Sequence, residues 1–271
     1  MHATRKYNVV VSGPPDAQPL LLAHGFGCDQ HMWRFVTPAF EKDFRVVLFD
    51  FPGAGGSAPE SYDAARHSSL DGYADDVLAI IEELDLRDVV LVGHSVAAMI
   101  GAIAAQRAPE RFDKLVMVGP SPRYIDDDGY RGGFSEPDIH ELLDSLASNY
   151  LGWSASMAPV IMGNADRPEL GDELSASFCR MAPEIARTFA RVTFLSDVRD
   201  VLPEVTTSTL VLQCSNDVIA PVEVGAYVTD AMPDARLTLL RATGHCPHLS
   251  APEETIAAMA DFIRHGAAQA V

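Results

Sequence analysis

The chain has 271 residues, 48% hydrophobic and 21% charged, which allows a sizeable buried core and excludes disorder as its main state. Lys and Arg total 20 against 38 Asp and Glu, a formal net charge of −18. That charge repels nucleic acid, anionic membrane surfaces and anionic substrates, and favours a small neutral ligand.

The first apolar run, Val9–Val11, is cut off by Gly13-Pro14-Pro15, too short for a signal-peptide core. Leu20–Ala23 reads as a buried strand, and His24-Gly25-Phe26-Gly27-Cys28 follows it with the His-Gly-x-Gly pattern of an oxyanion loop. Phe26 there offers a backbone amide to developing negative charge, and His24 is expected to make a structural hydrogen bond. Arg45–Phe49 is the next strand. Gly53-Ala54-Gly55-Gly56-Ser57-Ala58 after it fits the spacing of a dinucleotide loop. Pro59-Glu60-Ser61 stands where phosphates need an apolar helix, so a structural turn is expected. Gly72–Leu84 repeats apolar residues at three-to-four spacing, a helix.

Val89–Gln106 carries no formal charge over 18 residues, the lower limit for a membrane span. Its β-rich first half and Ala-rich second half meet at Gly93-His94-Ser95, which reads instead as a buried strand turning into a buried helix. Gly-x-Ser-x-Ala at that turn is a nucleophile-elbow candidate. Small residues at 93 and 97 suit a strained serine backbone, although Ala97 stands where a second glycine is usual. The Val96 amide, at the helix N-terminus, is the second oxyanion donor candidate.

After the strand Leu115–Val118, helix follows helix from about 121 to 195, with prolines at the predicted helix starts, Glu136-Pro137, Arg167-Pro168 and Ala182-Pro183. This predicts a core of residues 1–120 and 196–271 with a helical cap inserted at 121–195. Strand Thr209–Gln213 puts Asp217 just past its carboxyl end, and strand Arg236–Leu240 leads to His245 in a Gly-bearing loop. A serine needs a base and the base an orienting acid, so Ser95, Asp217 and His245 form the candidate catalytic set. His248 competes for the base role, though Gly244 beside His245 favours the latter; a structural hydrogen-bonding role is expected for His248. His-x-x-His also suggests a metal, but no third ligand supports one and none is expected. Cys28, Cys179, Cys214 and Cys246 show no Cys-x-x-Cys spacing, consistent with reduced thiols in a cytoplasmic protein.

With these motifs in order the chain resembles the α/β-hydrolase superfamily along its whole length. His24–Gln30, Leu70–Ala74, Gly93–Val96, Val118–Pro122, Gly132–Phe134, Ser148–Tyr150, Phe194–Asp197 and Gly244–His248 are similar to the family of the bacterial sigma-B regulator RsbQ. The plant strigolactone and karrikin receptors belong to the same family. The resemblance implies a doubly wound, mostly parallel sheet with an inserted four-helix cap, a Ser95-Asp217-His245 triad, no cofactor, and a mostly apolar cavity. Phe26, Phe134, Phe194 and Ile219 match its pocket positions, and Met157 and Leu174 stand where some plant receptors carry phenylalanines. Tyr124, an aromatic of the predicted cap, is a further substrate-binding candidate. The implied function is hydrolysis of a small apolar ester or lactone; the alternative is a receptor that binds or slowly hydrolyses a hydrophobic signal and controls a partner such as an RsbP-like phosphatase. Perhydrolase or haloperoxidase chemistry uses the same triad, whereas haloalkane dehalogenase needs an Asp where Ser95 stands.

Overall fold

The structure is a computed structural model that describes residues 2–265. Seven strands form one sheet: β1 (Val10–Ser12), β2 (Pro19–Ala23), β3 (Arg45–Leu48), β4 (Val89–His94), β5 (Phe112–Val118), β6 (Ser208–Asn216) and β7 (Ala235–Thr243). Their order is β1-β3-β2-β4-β5-β6-β7, with β1 antiparallel to β3 and every other pairing parallel. The six strands predicted from Val- and Leu-rich runs are all present. The short edge strand β1 goes unpredicted, because three residues with Val10 and Val11 exposed to solvent carry no burial pattern.

Strand alternation divides the core. Leu21, Val47, Leu91, Leu115, Met117 and Val211 face one layer, together with α2 (Leu70–Glu83) and α3 (Val96–Arg107). Leu20, Leu22, Val46, Val90, Val92, Val116 and Leu212 face the other, with Trp33, Phe40, Met259 and Phe262. The uncharged stretch at 89–106 is thus β4 followed by α3. Ten of the twelve residues of α3 are buried, which explains why that helix lacks an amphipathic stripe. Among the described residues no helix is long and apolar enough to cross a membrane.

Four helices lie between β5 and β6: α4 (Glu136–Ser148), α5 (Tyr150–Met162), α6 (Pro168–Phe178) and α7 (Pro183–Phe194). Pro168 and Pro183 open their helices, and Ser135 caps α4 in a reciprocal pair with Asp138. The segments that enter and leave this insertion are tied together. Arg199 holds Asp127 at 2.9 Å and Asp197 at 2.6 Å, Arg123 holds Asp197 at 3.3 Å, and Val198 N–H donates to Pro122 O. The helices α1 (Ala3–Lys6), α8 (Val222–Ala231), α9 (Pro247–Ser250) and α10 (Pro252–His265) complete the described chain.

Candidate active site

Ser95 follows β4 directly and caps α3 with φ 56° and ψ −124°, a left-handed backbone that is costly for a side-chain-bearing residue. Its N–H donates to Val118 O on β5, which pins the turn to the neighbouring strand. The turn is tight enough that a Cβ on Gly93 would stand 2.5 Å from Ala97 O. Gly93→Ala is therefore expected to lower stability by about 1–3 kcal/mol or to prevent folding, read as a fall in thermal midpoint or loss of soluble protein. Ala97 itself is fully buried, so a methyl at that position fits.

Asp217 sits one residue beyond β6 and His245 two beyond β7, so all three candidate groups emerge at carboxyl edges of parallel strands. They lie in a hydrogen-bonded line. His245 Nδ1–H donates to Asp217 Oδ2 at 2.7 Å, and Ser95 Oγ–H donates to His245 Nε2 at 2.8 Å. The other Asp217 oxygen accepts from Ile219 N–H and Ala220 N–H, so the carboxylate cannot rotate freely. His245 N–H donates to Ile161 O on α5, and Gly244 lets the loop approach, since a Cβ there would run into the Met162 carbonyl. His24 has the structural place expected: its Nδ1–H donates to Gly25 O and its Nε2 accepts from Phe51 N–H. The glycine-rich turn after β3 is likewise organised around Asp50, which accepts from Asn8, Gln30 and Gly56.

The Phe26 and Val96 amides donate to no protein acceptor among the described residues; Phe26 lines the same cavity as Ser95, and Val96 follows Ser95 in the chain. Phe26, Cys28, His94, Tyr124, Ile161, Leu174, Phe178, Thr193, Phe194, Ile219 and Cys246 surround Ser95 and His245 in a cavity of about 30 Å³. Such a volume admits a water-sized guest, against the ~300 Å³ or more of an ordinary ligand pocket. The ring of Phe26 lines the cavity and meets Trp153, Phe178, Phe189 and Phe194 with centroids 5.7 to 6.3 Å away. Burial raises the Tyr124 phenol well above its ordinary range and does the same to the thiols of Cys28 and Cys246. Those thiols stay protonated and do not compete with Ser95 as nucleophiles.

Of the seven residues expected to contact substrate, Phe26, Tyr124, Leu174, Phe194 and Ile219 line this cavity, while Phe134 and Met157 do not. Phe134 is drawn away by a bridge to Ile125 in the segment before α4, and Met157 lies one turn of α5 before Ile161, the residue that reaches the cavity. Cys28, His94, Ile161, Phe178, Thr193 and Cys246 line the cavity as well, none of them among the expected substrate contacts. Phe178 stands four residues after Leu174 on α6, a helical spacing that places both on one face. His248 also differs from expectation: neither ring nitrogen makes a hydrogen bond, and the ring packs on Trp33 at 4.6 Å.

Residues 20–258 match the alpha/beta hydrolase family. The chain belongs to that family. It is 41% identical over 258 residues to a strigolactone esterase of Arabidopsis thaliana, covering 95% of this chain and 94% of that one. It is 38% identical over 260 residues to a karrikin insensitive 2 receptor of Petunia hybrida, covering 96% of both. A hydrolase from Oleispira antarctica superimposes with a TM-score of 0.94 at 40% identity, covering 97% of this chain and 96% of that structure. As an alpha/beta hydrolase, the chain carries its Ser-His-Asp line at strand ends, under helices inserted after β5.

Proposed function

We propose that this hydrolase cleaves a small, mostly apolar ester or lactone through an acyl-serine intermediate. The observation that carries the reading is the Ser95-His245-Asp217 line opening on an apolar cavity, with the Phe26 and Val96 amides bonded to no protein acceptor among the described residues. Ser95 Oγ attacks the acyl carbon while its proton passes to His245 Nε2. Asp217, fixed by two amides, holds the imidazole tautomer and offsets the charge of the imidazolium. The Phe26 and Val96 amides receive the oxyanion, each contributing about 2.7–4 kcal/mol of barrier lowering. His245 then protonates the leaving alcohol, and a water activated by the same nitrogen releases the acyl group and restores Ser95.

We read residues 121–195 as a cap that closes the cavity and must shift to admit any substrate larger than water. Leu174, 1% exposed, is one of the groups that fill it. Leu174→Ala is expected to cost about 2–5 kcal/mol in stability. Its preference for p-nitrophenyl butyrate over the acetate should rise roughly tenfold; an unchanged ratio of kcat/KM would remove Leu174 from the substrate pocket.

A second reading, as a receptor like the karrikin insensitive 2 receptor of Petunia hybrida, is favoured by the small volume of the cavity. A ligand that opens the cap shifts its population and so its fit to a partner. An RsbQ-like role in stress signalling, with an RsbP-like phosphatase and a cytoplasmic location, belongs to this reading. Incubation with p-nitrophenyl acetate, following nitrophenolate and intact protein mass together, separates the two. Sustained release supports a metabolic esterase, a slow burst with a lasting adduct supports the receptor, and neither release nor adduct across an ester and lactone series counts against both.

A further inference from the structure

We infer that His94, Cys246 and His248 form a binding site for a thiophilic divalent cation, Zn²⁺ above all, placed directly behind the catalytic line. Their donor atoms all lie within 4.8 Å of one another, and the three residues are buried. The pair suggested by the sequence, His245 and His248, is not the pair assembled. His245 is engaged by Asp217 and Ser95, and His94 takes its place.

The hydrogen bonding of His94 suits it to a metal. Its Nε2–H donates to the His245 carbonyl at 2.8 Å, which fixes the proton on that nitrogen and leaves Nδ1 with a bare lone pair. A carbonyl on the far nitrogen is the usual support of a metal-bound imidazole. Nδ1 of His94 and both ring nitrogens of His248 have no partner, although the two side chains are almost wholly buried. Orphaned groups of this kind cost stability unless something occupies them.

Zn²⁺ takes nitrogen at about 2.0–2.1 Å and thiolate sulfur at about 2.3 Å, so the three side chains must draw together from donor separations of up to 4.8 Å to hold it. On binding, the Cys246 S–H bond breaks, its proton leaves to solvent, and the sulfur lone pair forms the Zn–S bond. His94 and Cys246 both line the active-site cavity, which supplies the access route, and the chain's charge of −18 draws cations toward it. Because His94 precedes Ser95 and Cys246 follows His245, contraction around the ion pulls both catalytic side chains out of line. The site is therefore inhibitory. That consequence rests on the hydrolase mechanism proposed above, whereas binding itself does not.

The test is calorimetric titration of the full chain with Zn²⁺ in two buffers of different protonation enthalpy, with Cd²⁺ absorption as a thiolate signature and p-nitrophenyl acetate hydrolysis as the coupled readout. One ion per chain, release of about one proton, a Cd–thiolate band lost in Cys246→Ser, and reversal of inhibition by a chelator are expected. His248→Gln should weaken binding by about 10–100-fold or more. Absence of saturable one-to-one uptake overturns the site. So does uptake unchanged in both folded variants, which would assign the ion to surface carboxylates. Tight binding with undiminished hydrolysis overturns the inhibitory role, and should the chain hydrolyse no ester, the calorimetric and absorption readouts still decide the site.

Discussion

Ser95→Ala is expected to lower kcat for p-nitrophenyl acetate by about 10⁴-fold or more while the protein folds as before. At about 1.36 kcal/mol per decade this is a loss of about 5.5 kcal/mol of transition-state stabilisation. The Ser95 hydroxyl donates only to His245, and its removal leaves the turn held by the Ser95 N–H to Val118 O bond, which alanine keeps. The backbone strain at φ 56° is present in both proteins, so the stability change should stay within about 1 kcal/mol. The two free amides remain, and with them whatever binding and oxyanion stabilisation they supply, so a residual rate above buffer is expected. Turnover equal to wild type in a variant with an unshifted melting curve would show that Ser95 is not the nucleophile. A variant that merely fails to fold decides nothing about chemistry, which is why the melting curve belongs to the measurement.

How much of this was legible beforehand depended on the range of the signal. The strand-turn-helix around Ser95 is written locally: Val89–Val92 for the strand, Gly93 for the close approach to Ala97, and an uncharged helix afterward. Asp217 and His245 were readable because parallel strands deliver their carboxyl ends to one edge, so a residue just past a strand is placed by topology alone. The cavity was less readable. Its walls come from helices whose mutual rotation is set by packing, and a periodic pattern says which face is buried without saying against what. Phe134 and Met157 illustrate this: both pack against the core from the insertion, yet one turn of helix or one bridge moves each off the cavity. The tightness of the cavity could not be read at all, since it follows from the ring of Phe26 meeting four aromatics from α5, α6 and α7. His248 is the converse case. Its sequence neighbourhood suggests a hydrogen bond, and only the fold shows both nitrogens without a partner, the ring packed on Trp33 and a nitrogen within 4.8 Å of the donor atoms of His94 and Cys246.

Asp217→Asn is expected to lower kcat by about 10⁴-fold, and the structure gives a specific reason for so large an effect from a nearly isosteric change. Asp217 Oδ1 accepts from the Ile219 and Ala220 amides, so an asparagine must keep its carbonyl oxygen there. Its NH₂ group then occupies the Oδ2 position, 2.7 Å from His245 Nδ1. Two donors cannot face each other, so His245 moves its proton to Nε2 and presents Nδ1 as the acceptor. The nitrogen facing Ser95 becomes a donor and can no longer take the hydroxyl proton. Geometry is conserved and basicity at the required atom is lost, so KM and thermal midpoint should change little while kcat collapses. Asp217→Ala makes the contrast: it leaves the Ile219 and Ala220 amides without their acceptor, and is expected to lower the thermal midpoint as well as kcat. If Asp217→Asn retained most of the wild-type kcat with an intact fold, the orienting role of Asp217 would be wrong, and His245 would have to be held by the Ile161 carbonyl contact of its own backbone instead.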